Sequence, residues 1–308
     1  MLILNIIFYN CSMIFILYNS LSKTGKNIKK ITRITNQAKK VFGNHETKII
    51  DLISIKDTRG FVDKLHPNDD IAIIIGGDGT LTKVANQIHE LSNLPKIYSY
   101  KAGTGNDFLR AISKHKETII LKKKFFFITP YLKKLPWIKF NNQKLFFLNG
   151  VGVGLDAVIA LALNNLKKNK SPNSFFQSSI NSVLKFKKLK RVEIELDGKP
   201  IIYHNVWFTS IMQGKYYGGG MKIAPYANRF SDQLELIIFK NMSKTRVACL
   251  FPLVYTGLHR FQKGVINLRG SHIKIKFSRP EWLQIDGETF PSILEVEIKK
   301  EKNLEKDS

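Results

Sequence analysis

Three short stretches of this chain place polar residues where the backbone must turn, and each could do chemistry. The pentapeptide Gly76-Gly77-Asp78-Gly79-Thr80 follows the unbroken apolar run IAIII and precedes a helical segment beginning near Leu81. Glycines let main chain approach phosphate oxygens, and a helix start behind them aims N–H groups and a positive dipole end at an anion. A carboxylate beside a triphosphate would be repelled, so Asp78 is expected to meet a magnesium ion or a substrate hydroxyl; a plain strand-ending turn is the alternative. A second loop, Ala102-Gly103-Thr104-Gly105-Asn106-Asp107-Phe108, follows the short apolar strand Ile97–Tyr100. Two such loops at adjacent strand ends of a parallel sheet open onto one edge, where ligands collect in doubly wound folds. Near the C-terminus, Asp286 and Glu288 set two carboxylates two residues apart. On a strand they would share a face, and proximity would raise one pKa and suit it to proton transfer. With Gly287 permitting a turn, they would instead flank a hairpin end in solvent.

The elements that must position these residues fall into two textures. MIFILY, from Met13, reads as a first buried strand, followed by a polar turn from Asn19 to Gly25 and a Lys-rich amphipathic helix from about Lys26 to Val41. KIIDLI reads as a strand, the segment around Phe61 to Leu65 as a helix, and IAIIIGG as a strand buried on both faces, which belongs in a parallel sheet. Beyond Ile120 come short alternating segments such as RVEIELDG, IIYHNVWFTSI, LELIIF, IKIKFS and LEVEIKK, the pattern of an antiparallel β-sandwich. Helices are expected at Leu155–Leu166 and Ser174–Leu189. The fold class is therefore an α/β nucleotide-binding domain over residues 13–125 and an antiparallel β-sandwich over 126–289, with the ligand cleft expected between them. The last strand, 290–300, is able to pack back on the first domain. Residues 1–18 are apolar enough to suggest a signal or membrane segment but lack a basic start and a small-residue cleavage site, so 1–12 read as an upstream extension, and 301–308 as a disordered tail.

Lys and Arg outnumber Asp and Glu by 49 to 24, giving a formal charge of +25 and pointing to polyanions or an anionic surface, or to a coding bias towards Lys and Asn. Nucleic acid is not an expected partner, because no basic recognition helix or aromatic RNA platform accompanies the charge. The basic run Lys185, Lys187, Lys188, Lys190 and Arg191 is either a solvated helix face or a surface that docks on anionic lipid. Cys11 and Cys249 are too few for a disulfide framework, so a reducing, cytoplasmic location is expected. The histidines show no metal spacing, and neither a Ser/His/Asp arrangement nor a P-loop competes.

GGDGT, then AGTGNDF, NGVGVGLDA from Asn149, GGGMKIAPYA from Gly218 and IDGE from Ile285 together resemble the diacylglycerol kinase family, in that family's order, over roughly residues 13 to 298. The resemblance implies an ATP- and Mg-dependent lipid kinase that moves the γ-phosphoryl group to a lipid hydroxyl, first of all diacylglycerol to phosphatidic acid, at the cytoplasmic surface of an anionic membrane. It also implies residue roles: Asn19 and Ser22 in a first phosphate loop, Gly76 to Thr80 in the nucleotide loop, Thr104 beside the nucleotide, and Glu288 as proton acceptor with Asp286 near it. Asp232 would anchor a structural magnesium ion with the main-chain carbonyls of Arg229 and Leu234.

Several residues depart from the family pattern. Ser20 and Lys101 stand where Pro is expected, Lys83 where an acidic residue follows GGDGT, and Gln233 where Gly would shape the turn that orients the metal-binding carbonyls. Kinases acting on a sphingoid base, a prenol or NAD remain alternatives, as does a non-catalytic nucleotide- or lipid-binding relative. Homodimerisation is left open.

Overall fold

The computed structural model describes residues 13–22, 24–102, 106–168 and 175–301. The expected 1–12 extension, Thr104 of the second glycine loop and most of the tail lie outside the described residues.

The chain divides into two compact units, one made of residues up to 104 with 115–133, the other of 105–114 with 134 onward. The first is an α/β unit in which β1 (Met13–Tyr18), α1 (Ile28–Phe42), β2 (Glu46–Asp51), α2 (Thr58–Asp63), β3 (Ile71–Ile75), α3 (Asp78–Ile88) and β4 (Lys96–Tyr100) follow one another. The short helix α4 (Asp107–Ile112) belongs to the second unit, and β5 (Ile120–Leu121) and β6 (Phe125–Phe127) complete the first. Its six strands run β2-β1-β3-β4-β6-β5. The first four are parallel, as expected, but β6 and β5 join antiparallel, so the sheet is mixed. Burial explains the pattern: every residue of β3 is buried, while α1 lays Ile31, Ile34, Thr35 and Ala38 on its inner face at helical spacing. Asn27 caps that helix by accepting the Lys30 N–H, and Gly43, at φ 102°, ends it.

The second unit carries β7 (Trp137–Phe140), β8 (Gln143–Phe146), β9 (Gly150–Gly154), α5 (Leu155–Lys168), α6 (Phe175–Lys185), β10 (Leu189–Leu196), β11 (Lys199–Met212), β12 (Leu234–Lys240), α7 (Lys244–Thr256), a 3₁₀ turn at Leu258–Phe261, β13 (Val265–Gly270), β14 (His272–Ile285) and β15 (Glu288–Lys299). Its sheet is antiparallel throughout, in the order β13-β12-β11-β10-β14-β15-β7-β8. The two longest strands, β11 and β14, pair with β10 at one end and with β9 at the other. One apolar core, with Trp207, Phe147, Phe239 and Leu283 fully buried, holds this β-rich unit together.

Two boundaries differ from the sequence reading. The domain border is not a single cut near residue 125, because α4 sits in the second unit while the residues on either side of it sit in the first. The helix expected to reach Leu189 stops at Lys185: Leu189 is buried in the core and pairs with Val206, and ladder bonds plus apolar burial outweigh helical periodicity. The last strand, whose return to the first domain the sequence leaves open, pairs with β14 and β7 in the second sheet.

Candidate active site

In the first unit the chemistry collects at the C-terminal edge of the parallel strands. Tyr18 and Ile75 are register partners, so Asn19 and Gly76 leave the sheet side by side. The Asn19 amide donates to Thr80 Oγ1 at 2.9 Å, its Oδ1 accepts the Leu21 N–H, and its own N–H reaches the Ile75 carbonyl. One side chain thus ties the loop after β1 to the loop after β3. Ser22 Oγ accepts the Gly25 N–H at 2.9 Å and shapes the rest of the first loop. The departure at Ser20 has a visible use: its N–H, which proline would lack, donates to Asp51 Oδ1.

Gly77 caps α3 without a side-chain bond, and Asp78 opens the helix half-buried. The space beside Gly77 and Gly79 is open to 4 Å, whereas a Cβ on Gly76 would fall 2.5 Å from Thr80 Cβ. Lys83 is exposed and lies five residues past Asp78, about 140° around the helix, so it does not face the loop beside Asp78. Close by in sequence to the second loop, a cavity of 680 Å³ is lined by the cations Lys29, Lys30, Arg33, Lys101, Lys123 and Lys124; the Gly76–Thr80 loop does not line it. Lys30 Nζ donates to the Ala102 carbonyl there at 3.2 Å.

In the second unit Asp286 and Gly287 form a two-residue hairpin turn, at φ 46° and 91°, between Ile285 and its partner Glu288. The carboxylates therefore do not share a strand face. Asp286 accepts three main-chain N–H groups, from Leu148 at 2.6 Å, Asn149 at 2.9 Å and Gly150 at 3.0 Å, and so anchors the chain where it enters β9. Glu288 is exposed at the turn's exit. The turn is pinned further by Gln284 Oε1, which accepts the Gly287 N–H, and by Asn164 Nδ2, which donates to the Gly287 carbonyl.

Residues that the motif pattern left without a role do much of the positioning. Asp107 is buried and accepts the Gly219 N–H at 2.7 Å, fixing the glycine-rich loop; burial raises its pKa, against the hydrogen bond and Arg110. Arg229 lies over the Phe108 ring at 4.7 Å and donates to the Leu148 carbonyl. Asp156, at the start of α5, is wholly enclosed by hydrogen bonds from Ser210, Gln284 and Tyr217, and burial pushes its pKa up to about 6. The order NGVGVGLDA, with an acid following a buried glycine strand, was the signal for Asp156.

One of the expected magnesium ligands has a partner within the chain. The Arg229 carbonyl accepts a hydrogen bond from Lys300 Nζ at 2.7 Å, and Lys300 is buried. Among the described residues no group of three His, Cys, Asp or Glu is placed to hold a metal.

Comparison with known proteins accounts for both units. Residues 13–123 match the diacylglycerol kinase catalytic domain, and residues 149–298 match the YegS C-terminal NAD kinase beta sandwich-like domain. A diacylglycerol kinase of Bacillus subtilis (strain 168) is 26% identical over 219 residues, 71% of each chain. A diacylglycerol kinase of Staphylococcus aureus (strain JH9) is 28% identical over 225 residues, 73% of this chain and 70% of that one. The crystal structure of a diacylglycerol kinase from Bacillus anthracis str. Sterne shares the fold, with a TM-score of 0.62 over 94% of each chain at 18% identity.

Proposed function

Because the chain belongs to the diacylglycerol kinase family and is a lipid kinase, we propose that it transfers the γ-phosphoryl group of magnesium-bound ATP to the hydroxyl of diacylglycerol, forming phosphatidic acid. The observation that carries this reading furthest is the turn at Asp286 and Gly287. Three amides hold Asp286, so its neighbour Glu288 leaves a fixed turn as a solvent-facing carboxylate able to take the proton of an attacking hydroxyl. The Gly76–Thr80 loop at the start of α3 would hold the nucleotide phosphates through its amides, with Asn19 and Ser22 shaping the wall beside it and Asp78 meeting the magnesium of the substrate. The rest of the acceleration would come from positioning and electrostatics.

The same reading requires access to a lipid surface. No helix among the described residues is long and apolar enough to cross a membrane. A peripheral contact fits one patch of the second unit better than the basic run at 185–191, where Arg191 pairs with Glu193 and Lys188 packs over Trp207. Tyr255, Leu258 and Phe261 recur at three-residue spacing and are 45%, 49% and 67% exposed, while His259 between them is buried against Phe239. Arg260 lies between the rings of Tyr226 and Phe261, at 4.5 and 4.4 Å, and Arg269 adds a second cation beside Tyr226. Apolar and aromatic side chains ringed by cations suit the headgroup level of an anionic leaflet.

The decisive experiment is ATP-dependent phosphorylation of a mixed lipid extract by the wild-type chain, Glu288→Ala and Asp78→Ala, with products identified by mass spectrometry. Phosphatidic acid from the wild type, with kcat reduced about 10²–10⁴-fold in Glu288→Ala, is the expected result. A different phosphorylated lipid would keep the mechanism and replace the substrate. ATP binding without any product would overturn the catalytic reading.

A further inference from the structure

Lys300 is an unusual residue for its place. It follows the last strand, its main-chain N–H is fixed to the Ser271 carbonyl, and its side chain runs inward until only 4% of the residue is exposed. A buried ammonium carries three donors and must find acceptors. The loop Asn228–Leu234 supplies one in the Arg229 carbonyl, 2.7 Å from Nζ; burial, and then the Arg229 charge, pull the Lys300 pKa down to about 8, against the attraction of the Asp232 carboxylate. The loop is otherwise drawn tight by its own short bonds, Phe230 N–H to Asn228 Oδ1, Ser231 N–H to the Asn228 carbonyl and Gln233 N–H to Ser231 Oγ. Its Arg229 carbonyl therefore faces an internal cation that the chain itself provides.

We propose that the Lys300 ammonium is the structural cation of this loop, so that the protein organises Arg229 to Leu234 without a bound divalent ion. A magnesium ion on the Arg229 carbonyl would place a second positive charge within a few ångströms of Nζ in a buried setting, so the two cations compete for the same loop. The arrangement also reaches the proposed catalytic turn. Lys300 holds the Arg229 main chain, the Arg229 guanidinium donates to the Leu148 carbonyl, and the Leu148 N–H donates to Asp286. Lys300 is thus a positioning residue acting through Arg229 and Leu148. The assignment stands on these contacts and does not depend on the identity of the lipid acceptor.

The test uses the nucleotide-free full chain, so that metal entering with ATP plays no part. Thermal unfolding of the wild type is followed in a metal chelator and in millimolar MgCl₂, and bound metal is measured by elemental analysis after dialysis. Superimposable melting curves and no stoichiometric magnesium are expected. Lys300→Ala should melt several degrees lower in chelator and recover part of that loss in MgCl₂, because the vacated loop now presents a carbonyl and a carboxylate to a divalent ion. Recovery by magnesium is not expected of a residue that merely fills space. One tightly held magnesium ion per wild-type chain, or a wild-type curve that falls on chelation, would overturn the proposal. These wild-type outcomes decide the matter even if Lys300→Ala does not fold, and they are independent of whether the chain phosphorylates any lipid.

Discussion

Alanine at Gly76 and alanine at Gly77 should behave in opposite ways. A methyl group at Gly76 would meet Thr80 at 2.5 Å and push apart the Asn19–Thr80 bond, costing roughly 1–3 kcal/mol and weakening ATP binding, whereas Gly77 has open space and a negative φ. Thermal unfolding and calorimetric ATP titration of the two variants check this. Asp286→Ala should cost about 3 kcal/mol in urea unfolding, since it leaves three N–H groups without their charged acceptor. These two sites also mark the limit of what sequence conveys at the scale of a residue. The glycine loop was legible because strand, turn and helix are contiguous. The role of Asp286 was not, because its acceptor bonds reach 136 to 138 residues back along the chain and no local pattern announces them. Lys300 escaped for the same reason: nothing in the run around it signals that one lysine of two neighbours turns inward.

At the scale of elements, the start of α5 is fastened to β11 and β14 through Asp156, which takes hydrogen bonds from Ser210 and Gln284. Its pKa, about 6 in the folded protein against 3.8 for the free group, makes the folded state bind the proton more tightly than the unfolded chain. The sign follows: this contribution to stability, at most about 3 kcal/mol, is fully present below the unfolded value of 3.8 and is lost as the pH rises through about 6. Urea unfolding at pH 4 and pH 7 should show the wild type losing most of that relative to Asp156→Asn, which cannot ionise. A difference between the two chains that does not vary with pH would contradict it. The strands themselves were largely readable: MIFILY, IAIII and the alternating segments of the second half appear where apolar spacing put them. The end of α6 was not, because Leu189 satisfies a helical period and a strand period equally well, and only its pairing with Val206 decides between them.

For the whole molecule, attachment to anionic lipid should depend on the Tyr255–Phe261 patch. Replacing Leu258 and Phe261 together by Asn should lower partitioning onto vesicles containing anionic phospholipid by about tenfold or more, while Lys185→Gln with Lys187→Gln changes it little. Vesicle sedimentation without ATP measures this, and equal losses from both pairs would reject the assignment. Fold class and the location of the glycine loop were visible in the sequence; the allocation of α4 was not, since its neighbours in the chain both belong to the other unit. That allocation bears on how the protein is made. On the ribosome α4 is complete long before Gly219 exists, because Asp107 waits 112 residues for its partner. At ordinary elongation rates of about 5–20 residues per second, the interval is roughly 6–22 seconds. During that time Phe108 and Leu109, both fully buried in the finished protein, wait for downstream chain that includes Arg229, which covers the Phe108 ring. The nascent chain thus holds two large apolar side chains for some seconds before all of the segments that meet α4 have been made.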